Sequence, residues 1–202
     1  MITNRKELKE YLLADKRQLG IKNRVIPRPF TDEIWKYEIV LRKYEYWYNK
    51  QGGLIAKIIC CFYKILHHRN SIKLGIGIGV NCCEKGLSIA HIGTIQINGK
   101  AVVGENLRIQ EGVTIGAGKN GFPIIGNNVY LGTGCKIIGG IRIADNCAIG
   151  ANAVVVKDIM QPGIMVAGVP AKKVSDNNSY ANVFWFNEGK PYVDITSKND
   201  VK

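Results

Sequence analysis

From Ile97 onward an aliphatic residue returns every six positions: Ile97, Val103, Ile109 and Ile115, then, after an offset of four, Ile125, Leu131, Ile137, Ile143, Ile149 and Val155. All ten positions are aliphatic, so chance agreement is negligible. Two places earlier a second small or aliphatic residue recurs, as Ile95, Ala101, Leu107, Val113, Val129, Cys135, Ile141, Cys147 and Ala153. A repeat of six cannot hold one face of a 3.6-residue helix. It predicts a solenoid instead, in which short strands joined by turns stack coil on coil with an aliphatic residue pointing inward from each. Gly, Ala or Asn follows the aliphatic position at 98, 104, 116, 126, 132, 144 and 150. Those residues suit corners that need a positive φ or a minimal side chain.

The residues before the repeat read as helices. Leu8, Tyr11, Leu12 and Leu19 recur at helical spacing, and Asn4 with Glu7 forms a capping-box pattern, predicting a helix over about 4–19 stopped by Gly20. After VIPRPF, Thr31 opens a second helix in which Ile34, Trp35, Glu38, Leu41 and Glu45 alternate apolar and charged faces, ended by Gln51-Gly52-Gly53. The third segment, LIAKIICCFYKILHHRN, carries its lysines at 57 and 64 and reads as an amphipathic helix packed on the rest of the protein. A helix lying on a membrane surface is the alternative. Three parts follow: a helical region at 1–70, a solenoid at 71–175 and a tail at 176–202, whose Phe184-Trp185-Phe186 cluster would cover the last coil or a neighbouring subunit.

Composition narrows the partners. The net charge of +12 comes mostly from residues 1–70, with 15 Lys and Arg against 7 Asp and Glu, which suits a polyanionic ligand or a solvated basic face. Basic residues do not alternate with aromatics as in a nucleic-acid groove, so no nucleic-acid partner is expected. The six cysteines, Cys60-Cys61, Cys82-Cys83, Cys135 and Cys147, show no metal-ligand spacing. Reduced, mostly buried thiols and no metal are expected. A charged amino terminus and the lack of a long apolar run predict neither signal peptide nor membrane span, hence a cytoplasmic chain.

The repeat, together with GLSIAHIGTIQI, GVTIGAGK and VAGVPAKKV, resembles the hexapeptide-repeat acyltransferases, and among them most nearly the serine O-acetyltransferases. The resemblance covers most of residues 10–175. It implies a mainly β protein, a left-handed parallel β-helix with an amino-terminal α-helical region, assembled as a homotrimer with active sites between subunits. Acetyl-coenzyme A would be the acetyl donor. Counting back six from Ile97 reaches His91, which either fills a core position or, as in the family, is the general base that takes the proton from an acceptor hydroxyl. No covalent nucleophile constellation is evident, so transfer would be direct.

By the same resemblance, Ala117, Gly118, Thr133, Ala151 and Gly168 would line the cofactor groove, with Lys136 and Lys172, and also Lys157 and Lys173, as phosphate partners. The loop created by the four-residue offset brings Lys119, Asn120 and Phe122 to the acceptor. Several family residues are absent. Ala90 stands where an aspartate precedes the histidine, Ile76-Gly77-Ile78 where Asp-Ile-His opens the helix, and Gly121-Phe122-Pro123 where Arg-His-Pro serves serine. A helical-domain aspartate falls near Asn23. With Glu111 only a remote candidate to orient His91, and no counter-charges for a zwitterion, a sugar hydroxyl of a surface polysaccharide precursor is the expected acceptor. Serine is the alternative, and a catalytically silent β-helix scaffold a further one.

Overall fold

A computed structural model describes residues 1–50 and 52–179; the Phe184–Phe186 cluster lies outside them. Three helices, α1 (Arg5–Gln18), α2 (Glu33–Asn49) and α3 (Leu54–Leu74), precede fourteen short strands. The strands wind into a solenoid of about five turns with three faces. One face holds β1 (Ile76–Ile78), β3 (Ile95–Ile97), β6 (Thr114–Gly116), β9 (Lys136–Ile138) and β12 (Val154–Val155). The second holds β4 (Val102–Val103), β7 (Ile124–Ile125) and β10 (Arg142–Ile143). The third holds β2 (Ser88–Ile89), β5 (Arg108–Ile109), β8 (Tyr130–Leu131), β11 (Ala148–Ile149), β13 (Met165–Ala167) and β14 (Lys172–Ser175). Pairing is parallel throughout except between β13 and β14.

The register explains the repeat. Ile97 pairs with Ile115, and Ile137 with Val155, 18 residues apart; three hexads make one coil. Ile115 pairs with Ile137 instead, 22 apart, because the four-residue offset loops out at 117–123 without disturbing the stack. All ten aliphatic positions and the nine two places before them are buried in one core.

The corners divide two duties that the sequence assigns to one residue. Positive φ occurs three places after the aliphatic position, at Asn106, Gly112, Asn128, Gly134, Asn146 and Asn152. The small residue directly after that position serves close stacking: a Cβ on Gly132 would sit 2.7 Å from Ile149 O and 2.8 Å from Ala151 N. The corner asparagines also form a ladder, Asn106 Nδ2 donating to Asn128 Oδ1 (3.0 Å) and Asn128 Nδ2 to Asn146 Oδ1 (2.8 Å).

The helices depart from the sequence reading in instructive ways. Asn4 caps α1 through Glu7 N, but the Glu7 carboxylate reaches back to Thr3 rather than to Asn4. The residues α1 buries are Tyr11, Asp15 and Gln18. In α2, which starts after Asp32 and ends at Asn49, Glu38 and Glu45 are not on a solvated face: both are buried, with Arg42 between them. Helix α3 runs on past residue 70 to Leu74, where Gly75 closes it in the left-handed conformation. It packs on the protein by one face, while a second apolar face points outward. All six cysteines are free; Cys82, Cys83, Cys135 and Cys147 are buried, but Cys61 is exposed.

Candidate active site

A β-helix begins with an unpaired edge. Here the edge amides are taken by carboxylates from the helices. Asp15 Oδ1 accepts from Gly86 N (2.7 Å) and Leu87 N (2.9 Å), Glu38 Oε1 from Ile89 N (3.1 Å), and Glu45 Oε1 from Asn81 N (2.9 Å). The fully buried Arg42 ties this clasp together. Its Nε donates to Asp15 Oδ2 (2.7 Å), Nη1 to Glu45 Oε2 (2.9 Å) and Cys83 O (2.8 Å), and Nη2 to Glu84 O (2.8 Å). Burial holds the Glu38 carboxyl well above the usual carboxylate range, and the nearby Asp15 adds to the effect. The sequence reading missed this cluster. Its signal was there in the spacing of Glu38, Arg42 and Glu45, which recur at i, i+4 and i+7 as core residues of a helix do.

The clasp ends one residue short of Ala90-His91. His91 is not in the core: it is exposed at the corner between β2 and β3. The strand register gives it company. Ile89 pairs with Ile109, Ile109 with Leu131, Leu131 with Ile149, and Ile149 with Val166. Two residues beyond each lie His91, Glu111, Thr133, Ala151 and Gly168. The last four stack along one edge of the prism over roughly 14 Å, three steps of about 4.8 Å each, while two extra residues between β2 and β3 set Gly93 opposite Glu111 and carry His91 out at the foot of that edge. Thr133, Ala151 and Gly168 are exposed there, and a cis peptide joins Val169 to Pro170 just above. Glu111 is half-buried, and its Oε2 is buried without a hydrogen-bond partner among the described residues. A Cβ on Gly93 would lie 2.9 Å from Glu111 Cβ, which puts this side chain against the His91 corner.

The other sequence-derived residues sit elsewhere. Ala117, Gly118, Lys119, Asn120 and Phe122 belong to the offset loop, which leaves the first face for the second and so occupies a different edge from His91. Its tip is a tight turn, Gly118 and Gly121 exchanging backbone hydrogen bonds of 3.0 and 3.2 Å, and Lys100 Nζ lies 5.2 Å from the centre of the Phe122 ring. Within one chain the loop and His91 do not meet. The Lys136 ammonium donates to Gly112 O and Thr114 Oγ1. Lys173 pairs with Asp176 (2.5 Å), while Lys157 and Lys172 are exposed.

On the far side of the corner a cavity of about 300 Å³ opens between the α1–α2 connection and the first coils. Ala90 and Ile92, which flank His91, line it together with Arg24, Asp32, Trp35 and Arg108. Arg24 is ion-paired with Asp32, whose carboxylate also accepts from Arg28 N (2.7 Å). That backbone hydrogen bond, with the Arg24 charge, keeps Asp32 below the usual carboxylate range. Arg108 Nη1 donates to Ser88 Oγ (2.6 Å), and its Nε is buried without a hydrogen-bond partner among the described residues.

Three-faced coils of 18 residues with paired aliphatic positions define the left-handed β-helix of hexapeptide-repeat acyltransferases, and residues 122–157 match the family model of the bacterial transferase hexapeptide (six repeats). Within that class the chain is serine O-acetyltransferase-like. It is 31% identical over 154 residues to a serine acetyltransferase of Mycobacterium tuberculosis, an alignment that takes in 74% of this chain and 62% of that protein. The fold is shared with a crystal structure of Neisseria gonorrhoeae serine acetyltransferase in complex with serine, at 28% identity and a TM-score of 0.61, covering 85% of this chain and 70% of that one. It is shared equally with Brucella abortus serine acetyltransferase in complex with coenzyme A, at 26% identity and a TM-score of 0.66, covering 86% and 70%. The chain thus spans less than two thirds of the length of the Mycobacterium protein.

Proposed function

We propose that the protein is an acetyl-coenzyme A dependent O-acetyltransferase whose acceptor is serine, with His91 as general base. The edge that runs from His91 through Thr133 and Ala151 to Gly168 carries this reading: a histidine at the foot of a line of small, exposed residues suits an extended thioester ligand. The donor supplies the activated acetyl group. His91 takes the proton from the acceptor hydroxyl as the oxygen attacks the thioester carbonyl; the C–S bond then breaks and the leaving thiolate takes up that proton as coenzyme A thiol, so the acetyl group passes directly to the acceptor. The unpartnered carboxylate oxygen of Glu111, one coil along the same edge, supports it as the group that orients the imidazole.

In the sequence, the lack of counter-charges for a zwitterion favours a sugar. Arg24, Asp32 and Arg108 bring charges of both signs to the cavity beside Ala90 and Ile92, which removes that objection, and the serine acetyltransferase relatives point the same way. Because the offset loop and His91 occupy different edges, a site that uses both needs a neighbouring chain. That supports the homotrimer, with the loop of one subunit meeting the His91 edge of the next.

The test is thiol release from acetyl-coenzyme A with L-serine and with a panel of free and nucleotide-linked sugars, in the wild type and His91→Ala. Turnover on serine, reduced about 10²–10⁴-fold in the variant, is expected. Turnover on a sugar alone overturns the acceptor, and equal rates in both proteins overturn the base.

A further inference from the structure

Helix α3 is apolar on two opposite faces. Leu74 is buried, and Ala56, Ile59, Cys60, Tyr63, Leu66 and His67 are partly covered by the protein. On the other side Leu54, Ile55, Ile58, Phe62, Ile65 and Ile72 are 55–76% exposed. At 100° per residue these six fall within an arc of about 100°, a stripe along a helix about 31 Å long that Arg69 interrupts between Ile65 and Ile72. Scattered exposed aliphatics are ordinary on a soluble surface; a stripe of six on one helix marks something that is meant to be covered.

Charge says what covers it. Helix α3 contains no Asp or Glu, while Lys57, Lys64 and His68 border the stripe on one side, Lys73 lies at its other edge and Arg69 sits within it about one turn before Ile72. Lys57, Lys64, His68, Arg69 and Lys73 are exposed, Lys73 reaching Glu33 of α2 at 3.1 Å. A second copy laid two-fold on the stripe would set these cations against their own counterparts. An anionic lipid surface matches both features at once, taking the aliphatic and aromatic side chains among its acyl chains and the lysines and arginine among its headgroups. No described helix is long and apolar enough to cross a membrane, so α3 would lie in the interface.

We infer that α3 docks the protein on anionic membrane surfaces, with the Leu54–Ile72 stripe inserted and its flanking cations at the phosphates. The full chain is sedimented with vesicles of phosphatidylcholine alone and of phosphatidylcholine containing one third phosphatidylglycerol, at low and high salt. Binding is expected to the anionic vesicles and to weaken with salt. Ile58→Glu and Phe62→Glu should each reduce it more than about tenfold, the equivalent of losing one apolar anchor. Lys57→Glu with Lys64→Glu should remove the preference for anionic lipid. Because all four side chains are exposed, melting temperature and far-ultraviolet circular dichroism should stay as in the wild type, which keeps a loss of binding interpretable. Binding that ignores lipid charge or survives the glutamate substitutions overturns the inference. So does a wild type that binds no vesicle, or one whose oligomer falls apart on Phe62→Glu, since the stripe would then be covered by another copy.

Discussion

Replacing Arg42 by Met tests what the clasp contributes. Methionine keeps the side chain long and apolar, so the cavity contribution is small, and the cost comes from what the guanidinium leaves behind. Two carboxylates with side chains 2% exposed, Asp15 and Glu45, lose their common counter-charge, and the carbonyls of Cys83 and Glu84 lose a charged donor. Removing one partner of such a buried pair costs about 3–5 kcal/mol. Urea unfolding at fixed protein concentration, followed by circular dichroism, reads this as a shift in midpoint at unchanged slope.

The loss should depend on pH. Burial already holds Asp15 and Glu45 above the ordinary carboxylate range, and without Arg42 they rise further. The folded variant then keeps protons that the unfolded chain releases above about pH 4, so its stability falls as pH rises. The deficit is therefore expected to be smaller at about pH 5 than at about pH 8, and adding Asp15→Asn and Glu45→Gln should recover part of it by removing the uncompensated charges. A variant within about 1 kcal/mol of the wild type, or a deficit indifferent to pH, would refute the reasoning.

Two further outcomes follow from the same geometry. Glu38→Gln keeps an acceptor for Ile89 N and removes an ionisable group held well above its usual range. Wild-type stability should therefore fall relative to the variant as pH rises above about 4.3, by at most about 1.4 kcal/mol per pH unit; parallel melting curves at all pH values would count against a raised Glu38. Glu111→Gln should lower kcat by about tenfold, leave KM for serine unchanged, and cost nothing further when made in the His91→Ala background. A full additional loss in that background would show that Glu111 does not act through His91.

How much of this was legible in the sequence follows from what kind of order each part has. A β-helix repeats by translation, so the same chemical demand returns at a fixed interval and ten aliphatic residues spell it out. The clasp does not repeat. Its one trace in the sequence is the core-like spacing of Glu38, Arg42 and Glu45; that Asp15 and the amides of the first coil close on them lies in tertiary structure alone. The cavity was hidden for the same reason, its walls coming from Arg24 and Asp32, from Ala90 and Ile92, and from Arg108. His91 misled by its numbering: six before Ile97 is a core position in a regular coil, but the turn after β2 puts it outside. For Lys136 the sequence displays the charge and hides its partners within the coil, Gly112 O and Thr114 Oγ1.

The stacking of equivalent residues along the His91 edge makes the coil a unit of length. Deleting the 18 residues from Gly132 to Ile149 would rejoin the core in register and bring Gly168 about 4.8 Å nearer His91; duplicating them would move it as far away. The distance between His91 and the closing turn is thus set by a whole number of coils, and cannot drift by a fraction of one. On the function proposed above, such a chain would be retuned to a shorter or longer donor only in steps, which makes coil number a ruler to be cut or extended by design.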